Sequence, residues 1–215
     1  MTTINIDDGS AITINIPCGD GGEEPDPVTE PYLPYAVNGL VCAAVQPELL
    51  TSSQTMAGPL LVAARAYLPP RISLAHVGIA VTTPAVGTPA TECRLAVYHG
   101  GVGEKLGQTE NKPTLYTRSG WRFANLETPI PAADTGRIVW LVATVPNFSQ
   151  AGPSLACTPD LASATLLNAW GYRAVEVGGA TTLPPMFDND APDVDFTMIT
   201  RVCGLTAGPG GIAQP

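Results

Sequence analysis

The chain has 215 residues, including 22 glycines and 22 prolines, and its charged and hydrophobic fractions are 13% and 45%. It is too apolar for a disordered chain and too rich in turn-forming residues for a helical one, so the composition predicts an all-β protein. The net charge of −9, with ten scattered lysines and arginines, argues against nucleic acid or an anionic membrane as a partner, because no basic surface can neutralise phosphates.

Residues 1–16 have a pattern typical of a β-hairpin. Ile4 and Ile6 lie before an Asp-Asp-Gly-Ser connection. Ile12 and Ile14 lie after this connection and alternate with Thr13 and Asn15. Apolar and polar residues that alternate on both sides of an Asp-Gly turn favour paired strands. Because an isolated hairpin is marginally stable in water, we predict an assembly arm that docks on another subunit or a partner sheet. The alternative is that it folds back on its own domain.

The next segment, residues 17–34, contains five prolines, three glycines and an acidic run, which predicts an extended linker. A single domain is then expected over residues 35–203, followed by an extended tail over residues 204–215. Since neither a signal peptide nor a bilayer-spanning apolar run is visible, we expect a protein that is made in a cytoplasm and has no membrane partner.

The first half of the main domain is predicted to consist of short strands. The pattern over residues 35–50 fits either a short strand and a turn or one helical turn. An apolar run in residues 56–67 ends at a Pro-Pro break, and alternation predicts strands over residues 71–83 and 92–99. A glycine-rich loop follows at residues 100–107.

The most apolar stretch, residues 136–145, is predicted to be the central strand. Its apolar positions are Ile138, Val139, Leu141, Val142 and Val145. With hardly a polar position between them, the strand should be buried on both faces. A glycine before it, a proline after it and its β-branched content argue against a helix.

Beyond the central strand we expect a polar loop over residues 147–158, a helix over residues 159–170, and strands over residues 172–177 and 193–203. The total is about eight strands separated by turn residues. This spacing is typical of a β-sandwich or jelly roll, and the lack of alternating helices argues against a parallel α/β sheet.

Five cysteines are spread along the chain: Cys18, Cys42, Cys93, Cys157 and Cys203. Their odd number and the absence of a Cys-x-x-Cys pair argue against zinc and against a disulfide framework. They are best interpreted as small buried hydrophobic residues. A single bridge from Cys18 to Cys42 is the alternative if the protein matures outside the cell.

Catalytic motifs are weak throughout. Residues 100–105 resemble a phosphate loop only superficially, because the Gly-Lys-Ser/Thr ending and the following helix are missing, so a strand connection is expected. His76 and His99 have no nucleophile nearby in the sequence, and no Gly-x-Ser-x-Gly motif is present. We therefore predict that the protein is not an enzyme. A glycan hydrolase or esterase that uses His76, His99 or Asp190 is the enzymatic alternative.

Two groups of residues are candidates for binding. The aspartates Asp188, Asp190, Asp193 and Asp195 could supply oxygen ligands to structural calcium, but they lack the EF-hand spacing, so a solvated turn is the preferred interpretation and no other cofactor is expected. The aromatic residues Tyr116, Trp121, Trp170 and Tyr172, with Phe187, could stack against a sugar. Core packing is the more common role for such residues.

Several segments together resemble the jelly-roll appendage domains of tailed bacteriophages. They are residues 71–83, the Cys-Arg-Leu-Ala-Val-Tyr strand at 93–98, Lys-Leu-Gly at 105–107, Thr-Pro-Ile-Pro at 128–131, Arg-Ile-Val-Trp-Leu-Val-Ala at 137–143, the loop at 178–185 and the strand at 195–201. The resemblance covers residues 56–202 and leaves out the N-terminal hairpin and linker. It marks a fold and a virion setting, and it carries over no catalytic residue.

The resemblance implies a structural protein on the virion surface, of the minor-tail or receptor-binding type. The N-terminal arm, which lies outside the resemblance, is expected to anchor it. Its expected partners are further copies of itself, with a trimer favoured, other virion proteins and a host cell-surface glycan. A capsid decoration protein or head fibre that binds capsomers is the alternative, and a glycan-processing enzyme is less favoured.

Overall fold

The computed structural model describes residues 41–159, 174–187 and 201–209, together with the strand backbones of residues 2–5, 11–14 and 197–198. The chain divides into two compact units, Met1–Pro31 and Tyr32–Pro215. The regular structure of the described residues consists of strands and two short 3-10 segments, Pro47–Leu49 and Pro113–Tyr116. The predicted all-β class is confirmed.

The first unit contains one antiparallel strand pair. Strand β1 (Thr2–Asn5) lies beside β2 (Ala11–Ile14), with Ile4 opposite Ile12. The two strands coincide with the two halves of the predicted hairpin. Its role as a docking arm stays a prediction.

The second unit contains two antiparallel sheets, each with six of the strands described. In chain order the strands are β3 (Cys42–Ala43), β4 (Ser52–Thr55), β5 (Leu60–Leu68), β6 (Leu74–Thr83), β7 (Leu95–His99), β8 (Lys105–Gln108), β9 (Gly120–Ile130), β10 (Arg137–Val145), β11 (Ser154–Cys157), β12 (Ala174–Gly178), β13 (Thr197–Met198) and β14 (Leu205–Gly208). Two packed antiparallel sheets are the arrangement of a β-sandwich.

The first sheet has the strand order β13-β12-β5-β10-β7-β8, so β10 lies in its interior as predicted. Successive residues of a strand point to opposite faces. On one face, Leu141 and its alternate neighbours join the main core, and on the other, Trp140 and Val142 join a second cluster that Phe187 covers. Burial on both faces over residues 139–145 explains the apolar run there. The prediction was wrong for Ile138, which is exposed because the pairing of β10 with β7 ends at Val139.

The second sheet is built around β6. Strand β9 pairs along one edge of β6, while β14 and β11 follow each other along its other edge and are flanked by β3 and β4. The inward side chains of β6, Val77, Ile79 and Val81, meet those of the first sheet in the main core. A bridge between Thr109 and Leu126 links the end of β8 to β9 and so joins the two sheets at one corner.

The structure places strands in two segments that the sequence predicts to be a loop and a tail. Within the expected polar loop at residues 147–158, Ser154–Cys157 forms the buried strand β11. Within the expected tail, Leu205–Gly208 forms β14, which pairs with both β6 and β3, so the sandwich extends past residue 203. Both strands are four residues long and are held by neighbours that are distant in sequence, so their own residues give little periodicity.

Other predicted elements agree more closely. Strand β5 begins within the apolar run of residues 56–67 and ends one residue beyond it, and the strand predicted over residues 172–177 appears as Ala174–Gly178. Residues 35–50 contain both a short strand and a 3-10 turn. The helix predicted over residues 159–170 and most of the strand predicted over residues 193–203 lie outside the described residues.

Candidate functional site

A network of charged side chains lies at the corner where the two sheets join. Arg94 Nε donates to Glu92 at 2.8 Å, and Arg94 Nη1 donates to Glu127 at 2.7 Å. The same Nη1 donates to the backbone oxygen of Thr109 at 2.7 Å. The hydrogen bond to Glu92 raises the pKa of Arg94 most, and the hydrogen bond to Glu127 raises it further. Burial has the opposite effect and lowers this pKa. The guanidinium therefore ties the start of β7 to β9.

Two open clefts flank Glu127, with volumes of about 360 and 400 Å³. The first is lined by Lys105, Gln108 and Thr128 among others, and the second by Glu110, Asn111, Lys112 and Asn125. Several of these groups already bond within the protein: Lys105 Nζ donates to Gln108 at 2.9 Å, and Lys112 Nζ donates to the backbone oxygen of Phe123 at 3.2 Å. Because these polar atoms bond within the protein, the two clefts have few free polar groups that could bind a ligand.

A different surface is apolar, and we call it the apolar surface. It consists of the exposed side chains of Tyr67, Val102, Ile138 and Met186, which are 48%, 55%, 38% and 51% exposed. These are four of the six large hydrophobic side chains that are exposed among the described residues. In proteins generally, large exposed apolar patches are uncommon on monomers and are found where other molecules bind.

Strand register and two loops bring the four residues of the apolar surface together. Ile138 on β10 is directly opposite Tyr67 on β5, so their side chains share a face. The backbone N–H of Gly100 donates to the oxygen of Ile138 at 2.9 Å, which places the loop that carries Val102 beside β10. Met186 is bridged to Glu104, at the other end of that loop.

The apolar surface rests on a rigid aromatic layer. The Trp140 ring lies 5.5 Å from that of Phe187, which in turn lies 5.5 Å from Tyr98. The hydroxyl of Tyr98 donates to the backbone oxygen of Pro184 at 2.7 Å and fixes the segment that leads to Phe187. The guanidinium of Arg65 lies 5.9 Å from the centre of the Trp140 ring, a cation–π distance.

The predicted stacking residues do not form one site. Tyr116 is fully buried and donates its hydroxyl to the backbone oxygen of Thr144 at 2.6 Å, so its ring offers no face to a sugar. Trp121 is partly exposed on the outer face of the second sheet, stacked at 6.2 Å on Phe123. Phe187 is buried beneath the apolar surface. Trp170 and Tyr172 lie outside the described residues.

The two histidines lie in different sheets. His76 is a buried residue of β6 whose ring meets Phe123 edge-on at 5.2 Å. His99 ends β7, and its Nδ1 accepts hydrogen bonds from the backbone N–H groups of Gly101 and Val102 at 3.1 and 3.3 Å. His99 thus shapes the turn between β7 and β8, in which Gly103 has a φ of +71° that favours glycine. The first part of the glycine-rich segment, residues 100–104, is a strand connection, as predicted. The predicted loop ends too late, because residues 105–107 belong to β8, which pairs with β7.

The cysteines with described side chains are core residues, as predicted. Cys42, Cys93, Cys157 and Cys203 are each 0% exposed. Burial raises the pKa of the Cys42 and Cys93 thiols to about 12. Cys18 lies outside the described residues, so the alternative bridge from Cys18 to Cys42 stays a prediction.

The remaining candidates fall on parts of the chain that are not described. These are the aspartates Asp188, Asp190, Asp193 and Asp195, and the arm residues Ile6 and Asn15. Within the described residues, no group of three or more His, Cys, Asp or Glu side chains is placed to hold a metal ion.

Sequence reasoning missed the apolar surface. Its four residues are spread from position 67 to position 186, and only strand register and a loop bridge bring them together. One local signal was present: Arg65 and Tyr67 alternate with alanines at the end of β5, which indicates a strand face that turns from buried to exposed.

Comparisons with known protein families, with curated proteins and with solved structures gave no significant match to this chain. Over the stretches described, no helix has the length and apolar character needed to cross a bilayer.

Proposed function

We propose that this chain is a non-enzymatic structural protein of a tailed-phage particle. In this proposal it is a surface appendage with a jelly-roll-like domain, of the minor-tail or receptor-binding type, attached through its N-terminal residues. The observation that carries the proposal is the apolar surface of Tyr67, Val102, Ile138 and Met186, which needs a partner to be buried. The segments that resemble phage appendage domains supply the virion setting.

The use of charged residues supports a structural role. Arg94 bonds to Glu92, to Glu127 and to the backbone oxygen of Thr109, and so links the two sheets. A rigid scaffold of this kind suits a subunit that bears load in an assembly. A glycan hydrolase would instead need a pair of carboxylates facing a shared substrate.

We infer that the partner at the apolar surface is another copy of this chain, in a symmetric oligomer for which a trimer is favoured. Most oligomers of soluble proteins are formed by identical subunits. A tyrosine amid aliphatic side chains is also typical of the centre of a protein interface.

Mass spectrometry of particles purified on a density gradient tests the virion proposal. Peptides from residues 41–159 should co-purify with the major capsid and tail proteins at a fixed ratio that resists high-salt washing. Peptides that remain with the host lysate, at every stage of particle purification, would contradict it.

A further inference from the structure

Two cysteines face each other across a pair of antiparallel strands. Cys157, the last residue of β11, is bridged to Cys203, just before β14. The backbone N–H of Gly204 donates to Ala156 O at 2.9 Å, and that of Thr158 donates to Val202 O at 3.1 Å. Because these bonds flank the pair and do not join it, the two cysteines occupy a non-hydrogen-bonded position, where cross-strand side chains approach most closely.

The surroundings of the pair are compatible with a covalent link. At non-hydrogen-bonded positions the Cα atoms of opposed residues are roughly 4.5 Å apart, which is within the range that disulfides span, about 4.4–6.8 Å. Both Cys157 and Cys203 are fully buried in the main core, so their side chains point to the same face.

We propose that Cys157 and Cys203 form a cross-strand disulfide when the chain folds in the presence of a small-molecule disulfide oxidant. One cysteine thiolate attacks a sulfur of oxidised glutathione and releases one glutathione thiol. The other cysteine attacks the resulting mixed disulfide and releases the second. The two protein thiols lose two electrons and two protons, and these reduce one oxidised glutathione to two glutathione molecules.

The other cysteines with described side chains lack such a partner position. Cys42 on β3 is opposite Ala207 on β14. Cys93 lies before β7, where its backbone oxygen accepts from Lys112 N and its backbone N–H donates to Asn111. The register therefore selects one pair.

Burial sets when the disulfide forms. Desolvation in the core raises the pKa of the Cys203 thiol, and the proximity of Cys157 adds to this effect. Thiolate is the reactive form, so exchange is slow in the folded protein and fast while the strands are still forming. An oxidising setting, such as that outside a cell, would then preserve the bond.

The bond would secure the end of the second sheet. It connects β11 directly to the entrance of β14, and the enclosed loop contains β12 of the first sheet. Closure of a loop of several tens of residues restricts the unfolded chain. We expect the melting temperature of the oxidised protein to exceed that of the reduced protein by roughly 10 °C.

The test is refolding of the full chain in a glutathione redox buffer, followed by alkylation, proteolysis without reduction and peptide mass spectrometry. The expected result is a linked peptide that contains Cys157 and Cys203, with the other three thiols alkylated. The variants Cys42→Ala and Cys93→Ala are matched controls, since they remove equally buried cysteines and should retain the linked peptide and the thermal shift. Cys157→Ala should lose both.

Alkylation of all five thiols in wild-type protein that has refolded in the glutathione buffer would overturn the proposal. A linked peptide that joins a different pair of cysteines would also overturn it. Because this readout uses the wild-type chain, it decides the question even where a cysteine variant fails to fold.

Discussion

At the residue scale, the hydroxyls of buried threonines form hydrogen bonds with backbone groups where the regular pairing between strands is interrupted. Thr144 is 2% exposed, and its Oγ1 accepts from the backbone N–H of Arg94 at 2.7 Å and donates to the backbone oxygen of Glu92 at 2.8 Å. Thr109 plays a similar part for the N–H of Leu95 at 3.0 Å. These hydroxyls let the chain before β7 stay buried without losing hydrogen bonds, which would be costly.

Replacing Thr144 by valine keeps the shape of the side chain and removes its hydroxyl. The part-buried N–H of Arg94 then loses its acceptor, so the free energy of unfolding should fall by about 1–3 kcal/mol. Urea unfolding measures this difference. Thr83→Val, at an exposed position, is the control and should stay within about 0.5 kcal/mol of wild type. Equal losses in both variants would show that the buried hydroxyl has no special role.

The half-buried carboxyl of Glu176 makes stability depend on pH. Burial raises the pKa of Glu176, and the hydrogen bond from Gln54 Nε2 at 3.1 Å opposes this effect. With the folded pKa above the unfolded one, the contribution of this group is fully present below the unfolded value of about 4.3 and is lost as pH rises through the folded pKa.

Glu176→Gln removes this titration. The variant should melt at a higher temperature than wild type at pH 7, and the difference should shrink as the pH approaches 4. Thermal denaturation across that pH range provides the measurement, with Glu110→Gln at an exposed position as the control. A constant difference between Glu176→Gln and wild type at every pH would contradict the assignment.

At the element scale, close approach of strands β6, β9 and β14 depends on one glycine. A Cβ on Gly78 would lie 2.5 Å from Phe123 Cδ1 and 3.0 Å from Thr206 Cγ2. Gly78 is opposite Phe123 on one side and Thr206 on the other. The aromatic ring therefore lies over the glycine and fills the space that a side chain would occupy.

Gly78→Ala should lower the free energy of unfolding by about 1–3 kcal/mol, because Phe123 must move. Gly178→Ala is the matched control, since Gly178 also lies in a strand and a Cβ there would meet nothing within 4 Å. Chemical denaturation of the two variants gives the comparison. A Gly78→Ala protein as stable as Gly178→Ala would mean that the ring does not need the space.

How far the sequence predicts the fold depends on the strand. Central β10 was predictable because burial on both faces leaves an unbroken apolar run between Gly136 and Pro146. β11 and β14 were not, because each has four residues and owes its place to pairing with β6. Hydrophobic periodicity reports local burial, whereas strand pairing joins residues that are far apart in sequence.

The candidate site shows the same limit. Residue type alone marked Tyr116 as an aromatic that could stack on a ligand, but its position places the ring in the core. Ile138 was predicted to be buried, and it lies beside Tyr67 on one face because β5 and β10 pair in that register.

At the scale of the whole molecule, the apolar surface should control self-association. Ile138→Asp places a charge within this surface, and burying an unpaired carboxylate in an interface costs far more free energy than the contact gains. Light scattering after size exclusion should show an oligomer for wild type and a monomer for Ile138→Asp. Val86→Asp is the matched control, because Val86 is 49% exposed and lies outside the apolar surface. A wild-type monomer would contradict the inferred contact between copies.

The virion role itself is tested most directly by immunogold electron microscopy of intact particles, using an antibody against residues 41–209. We expect label at the tail end of each particle, where an appendage of the minor-tail or receptor-binding type would lie. Label spread over the head would contradict the tail assignment in favour of a capsid decoration protein. Particles without label, in a preparation in which a known tail protein is labelled, would contradict the virion role altogether.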